Sequence, residues 1–187
     1  MRSVWIPGAL IAIVVGLTPS PANAQTFLTP YAGATFGADA PNTKPSFGAS
    51  LTFLGKVAGL EVDFGYTPDF FDEESELELI GDSNVTTLMA NLVIAPGTRQ
   101  VRPYGVIGLG LMRSRVDGGD LFDDITTNDF GFNAGFGVMG LVSDHVGFRG
   151  DVRYFRSLED PEIDNDFDVA VGNFDFWRAT GGITFRF

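Results

Sequence analysis

The chain contains no cysteine. That excludes disulfide staples, thiol nucleophiles and thiolate metal sites. Basic side chains are scarce, with 12 Lys and Arg against 24 Asp and Glu and a formal net charge of −12. This balance excludes nucleic acid as a partner, because phosphate binding needs clustered Lys and Arg. Charged residues of either sign make up only 19% of the chain. A membrane-crossing helix needs about 20 consecutive apolar residues. The run from Ile6 to Leu17 has 12, and nothing after Gln25 is long and apolar enough.

That short run has its own reading. It follows Arg2 and precedes "TPSPANA", which ends in the small-x-small site Ala22-Asn23-Ala24 before Gln25. A weak basic start, a short apolar core and a small-residue cleavage site make a secretory signal peptide. We expect residues 1–24 to be removed, with residues 25–187 forming one domain. Removal would also take Arg2, leaving 11 basic against 24 acidic side chains, a net charge of −13.

What is abundant is glycine (24 residues) and phenylalanine (18), both set within alternating segments. Glycine at this level suits β structure better than helix. Eight segments alternate with period two, the signature of strands with two unlike faces. They are Thr26 to Gly37, Ser46 to Leu54, Val57 to Thr67, Val85 to Ala95, Arg102 to Val116, Asp129 to Val142, Val146 to Ser157, and about Asn173 to Phe187. Most are near the 9–11 residues of a tilted membrane-spanning strand. Short connections (Leu54 to Val57, Pro96 to Val101, Ser143 to His145) alternate with longer ones (Ala38 to Pro45, Pro68 to Asn84, Asp117 to Asn128, Leu158 to Gly172). Short turns at one end and long loops at the other fit an outer-membrane barrel.

Alternation leaves open which face is inside. A soluble eight-stranded barrel of lipocalin type would turn the apolar face inward around a ligand. Three features favour the inverted arrangement. The polar face is rich in glycine, which suits a narrow, filled interior. It carries both signs of charge, Glu61, Asp63 and Asp151 against Arg149, Arg153, Arg178 and Arg186, which can pair inside a barrel. The apolar face is large and aromatic, with Tyr and Trp near strand ends, as in membrane-interface girdles. The expected architecture is all-β, an eight-stranded antiparallel up-and-down transmembrane barrel. An interior this narrow is filled by side chains, so the lumen charges are expected to be a self-neutralising structural network.

The final "GGITFRF" and the Pro-Tyr, Gly-rich "RPYGVIGLGLM" (Arg102 to Met112) carry a resemblance. The mature chain resembles a small eight-stranded outer-membrane barrel of the OmpA/OmpX type. The resemblance implies a place in a Gram-negative-type outer membrane, among its lipid and lipopolysaccharide. It also implies that Ile183, Phe185 and Phe187 form a C-terminal signal read by the outer-membrane assembly machinery.

Three acidic stretches are the most distinctive feature. Asp69 to Asn84, Asp117 to Asp129 and Leu158 to Asp175 hold 19 of the 24 acids and no Lys or Arg. They are expected to form a solvated surface, with divalent cations or a basic partner as the alternative. "DNDFD" offers Asp164, Asp166 and Asp168 as weak metal ligands. It lacks the glycine and glutamate of a calcium-binding loop, since Val169 and Asp175 stand there. No cofactor is expected. The lone histidine, His145, sits in "SDHV" beside Ser143 and Asp144. Sequence adjacency is not triad geometry, and these residues suit a tight turn. The expected function is non-catalytic, a structural or surface-interaction barrel with acidic loops. The alternatives are a narrow porin-like channel for small solutes or cations and, third, a lipid A-modifying enzyme.

Overall fold

The computed structural model describes residues 24–37, 40–70, 83–96, 100–116, 125–158 and 174–187. They form eight strands: β1 (Gln25–Gly37), β2 (Ala40–Leu54), β3 (Ala58–Pro68), β4 (Ser83–Ile94), β5 (Val101–Val116), β6 (Ile125–Leu141), β7 (Val146–Ser157) and β8 (Asp175–Arg186). Each strand pairs antiparallel with its chain neighbours, and β1 pairs with β8 to close the barrel. Closure leaves no unpaired edge within the closed ring, which is what lets strands stand in lipid with their backbone groups satisfied. The signal-peptide region and the Asp164, Asp166 and Asp168 cluster lie outside the described residues.

Side-chain alternation divides the barrel cleanly. On β3, Gly59, Glu61, Asp63, Gly65 and Thr67 are buried, while Val62, Phe64 and Tyr66 between them are exposed. The exposed set elsewhere includes Phe53, Leu88, Leu92, Ile107, Leu109, Phe136, Phe148 and Ile183. An apolar surface this extensive is what faces lipid. Near its long-connection margin, Tyr154 packs between Phe132 and Trp177, with ring centroids 6.2 and 5.2 Å away. Aromatic girdles of this kind sit at headgroup level.

One connection differs from the sequence reading. Ala38 to Pro45 is not a long loop. β2 begins at Ala40, opposite Gly37, after a register shift between Thr35 and Gly37. Pro41 and Pro45 read as loop residues because proline breaks strand ladders. Here β3 pairs only with Phe47 to Leu54, so the start of β2 has one neighbour, β1. Proline is tolerated where one side of a strand is unpaired. The β5–β6 hairpin likewise projects past β7, whose pairing with β6 starts at Gly131. Long connections therefore follow β3, β5 and β7, and the β1–β2 connection is tight.

Candidate functional site

The lumen is filled in three tiers. At the short-turn end, Phe27, Leu54, Val93, Ala95, Tyr104, Val106 and Met139 form an apolar cluster, with Leu141 packed against it. At the long-connection end, Phe70, Val85, Met89, Met112, Phe155, Phe174 and Phe176 form another, together with Ala40. Phe155 stacks on Phe176 at 4.9 Å, and Phe70 meets Phe174 and Phe176 edge-on. Most members of both clusters come from inward-facing positions of the strands that carry polar groups between them, while Phe70, Ala95 and Phe174 stand just beyond strand ends.

The middle tier is ionic. β3 supplies Glu61 and Asp63, β7 supplies Arg149, Asp151 and Arg153, and β8 supplies Arg178. β3 and β7 lie diametrically opposite, four strands apart in either direction round the ring. Contacts between them therefore cross the bore. Arg149 Nη1 donates to Glu61 Oε2 at 2.5 Å, and Arg153 Nη2 reaches Glu61 Oε1 at 3.0 Å. Arg153 Nη1 lies 3.7 Å from Asp63 Oδ2, and Arg178 Nη2 donates to Asp63 Oδ1 at 2.5 Å. On β7 itself, Arg153 Nε and Nη2 grip Asp151 Oδ1 and Oδ2 at 3.1 and 3.0 Å, a two-pronged charge-assisted pair. Three acids meet three arginines, so the tier is neutral.

Neutral groups complete it. Thr52 Oγ1 and Asn91 Nδ2 donate to Glu61 at 2.7 and 3.1 Å, and Asn133 Nδ2 donates to Asn91 Oδ1 at 2.8 Å. Tyr104 Oη donates to Asp151 Oδ2 at 2.6 Å and accepts from Arg149 Nε at 2.6 Å. Arg149 lies over the Tyr104 ring, and Arg178 lies over the rings of Phe155 and Tyr31. Burying charges is costly unless they are paired and hydrogen-bonded. Here the partners come from all eight strands, β1 through the Tyr31 ring, so the charges brace the barrel wall to wall.

Six of the seven expected lumen charges thus come together. Arg186 does not. It lies at the short-turn rim opposite Phe27, and its nearest acid is Asp144 at 3.5 Å, an exposed turn residue. Sequence reasoning did not include Thr52, Asn91, Tyr104 and Asn133 in the network. Their inward strand positions were the available signal, but parity alone does not give height along the bore. It also missed that the lumen is apolar at both ends.

The remaining candidates are placed as follows. Ile183, Phe185 and Phe187 face outward, and Phe187 N–H donates to Thr26 O at 2.9 Å, closing the seam. Ser143 Oγ accepts the backbone N–H groups of His145 and Val146 at 3.4 and 3.1 Å, so it caps the turn. Among the described residues no group of three His, Cys, Asp or Glu gathers as a metal would require.

A family model described as the outer membrane protein beta-barrel domain matches residues 9–178. The chain is similar in structure to Neisserial surface protein A, with 17% identity, a TM-score of 0.65, and coverage of 87% of this chain and 97% of that one. It is similar to the N-terminal β-barrel domain of Pseudomonas aeruginosa OprF (16% identity, TM-score 0.59, 88% and 98% covered). It is also similar to Ail, the attachment invasion locus protein of Yersinia pestis, in complex with the heparin analogue sucrose octasulfate (16%, 0.56, 88% and 99%). At these identities the likeness is one of fold. No sequence among curated proteins matches the chain significantly.

Proposed function

The chain belongs to the outer membrane protein beta-barrel family, and from that premise we propose that it is a closed, non-catalytic barrel serving as a surface-presenting scaffold of the outer membrane. The observation that carries this reading is the three-tier lumen, in which two apolar clusters enclose an ionic layer braced across the bore. A solute would have to displace both clusters and separate paired buried charges, each separation costing several kcal/mol. What remains for function is the surface beyond the membrane. Most of the acids lie in three stretches that follow β3, β5 and β7, all at one end. In the usual orientation of these barrels long loops are extracellular, so that end would face outward. Its charge suits divalent cations or a basic partner. It would repel a polysulfated ligand such as the one bound to Ail.

The turn at Ser143 to His145 supports the non-catalytic part, because the serine hydroxyl is engaged by backbone N–H groups rather than by the imidazole. Planar-bilayer recording tests the proposal. Pure, refolded protein is expected to give no stable single-channel steps, and reproducible steps would favour the narrow-channel reading instead.

A further inference from the structure

The β1–β8 seam has a gap inside the membrane. Its register runs through Phe27↔Arg186 and Leu28↔Phe185 and resumes only at Tyr31↔Gly182. The ladders from β2–β3 round to β7–β8 run unbroken, and the shift in β1–β2 lies near its far end, between Thr35 and Gly37. Register places Ile183 opposite Pro30 in the gap. Ile183 is four residues from Phe187, roughly 9 Å along the membrane normal at ~3.3 Å a residue and ~45° tilt. Its side chain is exposed on the outer face, so the gap falls within an apolar band about 25 Å tall.

The cause is Pro30. Phe187 N–H donates to Thr26 O, so the backbone groups of Thr26 point at β8. Alternation then points those of Leu28 and Pro30 the same way. Proline has no N–H, and the Ile183 carbonyl receives no donor from β1. The other strand prolines avoid this conflict. Gly55 N–H donates to Ala58 O, which turns Pro45 toward β3, whose pairing with β2 begins only at Phe47. Asp69 N–H donates to Ser83 O, which turns Pro68 toward β2, beyond the same ladder's end at Tyr66. Leu141 N–H donates to Gln100 O, which turns Pro103 toward β4, whose pairing ends at Gly105. Pro30 thus differs from these three in setting its missing N–H inside a ladder, where lipid offers no substitute.

A side-chain bond spans the gap from within. Thr29 Oγ1 and Thr184 Oγ1, both buried, are 2.9 Å apart. Outside, the next pair is Ala32 and Gly181, and a Cβ added at Gly181 would meet nothing within 4 Å. The seam there is braced from the lumen and not from the lipid side. We infer that the barrel opens locally along β1–β8 at Pro30, with the Thr29–Thr184 bond as the latch, while the other ladders stay paired. This does not depend on the scaffold reading, since the ionic tier can stay closed while the wall beside it opens.

Amide-resolved hydrogen exchange of the whole refolded barrel in lipid bicelles tests this. The N–H groups of Leu28, Ile183 and Phe185 point across the seam. They are expected to exchange at least about tenfold faster than those of Gly59, Asn91 and Val93, which point across the unbroken β3–β4 ladder. Pro30→Ala supplies the missing donor and is expected to slow the seam amides by about five- to tenfold, the factor of one net hydrogen bond, leaving the β3–β4 amides unchanged. Thr29→Val/Thr184→Val is expected to speed them by a similar factor. Should that variant fail to refold, Thr29→Cys/Thr184→Cys replaces it, because the chain has no other cysteine; its oxidised form is expected to protect the seam amides beyond its reduced form. Equal exchange in the two ladders would overturn the inference. So would seam amides indifferent to Pro30→Ala, or to opening and closing the engineered disulfide.

Discussion

Glu61 is the side chain on which the lumen network turns. It receives Arg149 and Arg153 from the opposite wall and Thr52 and Asn91 from its own side of the barrel. Glu61→Gln keeps the shape and removes the charge. The tier then holds three arginines against two carboxylates, with no route to water for the surplus charge, since Arg153 is 1% and Arg149 7% exposed. The new amide also aims an N–H at a guanidinium that can only donate. Removing one partner of a buried pair costs about 3–5 kcal/mol. The substitution is therefore expected to lower unfolding free energy by about that amount, measured by urea titration of the barrel in lipid vesicles. Arg149→Met in the same protein should recover part of the loss, because it restores neutrality and fills the space with an apolar chain. A loss below about 1 kcal/mol is what an exposed pair gives. That result, or a double variant whose loss is the simple sum of the two single losses, would refute the claim that these charges are desolvated and coupled.

Two further outcomes follow from the wall and the seam of the barrel. Gly181 and Gly182 are neighbours on β8 with opposite surroundings. A Cβ at Gly182 would run into Pro30 O, Tyr31 Cβ and Thr29 Cγ2, whereas one at Gly181 meets nothing within 4 Å. Gly182→Ala is expected to cost about 1–3 kcal/mol by overpacking and Gly181→Ala close to nothing, as read by the same titration; equal losses would show that the inner wall has room to relax. Deletion of Phe187 removes the hydrogen bond to Thr26 and the terminal aromatic. If that aromatic is an assembly signal, the deletion should lower surface levels in cells far more than it slows refolding in detergent, and normal surface levels would count against the signal.

The strands were legible because their signal is local. A residue on β3 faces lipid or lumen according to parity alone, and lipid tolerates only the apolar set, so Val62, Phe64 and Tyr66 separate from Glu61, Asp63 and Gly65 without reference to any other strand. Strand extent was less legible. Pro41 and Pro45 argue for a loop when read alone, and only the absence of a second neighbour at that height lets β2 run through them. The network was legible in its membership but not in its geometry. Arg186 shares the inward parity of Arg178, yet eight residues along a tilted strand carry it to the rim, where Asp144 is the acid within reach.

Sequence alone determined that this chain is a barrel of eight alternating strands with lipid-facing aromatics and charges inside, because side-chain direction in a strand repeats every two residues and needs no long-range information. Tertiary structure decided what parity cannot encode, which is height along the axis and identity across the bore. Closure through β1 and β8 fixes the relative stagger of all eight strands. That stagger brings Arg149 and Arg153 of β7 to the level of Glu61 on the far wall, and puts phenylalanine above them and tyrosine, leucine and valine below.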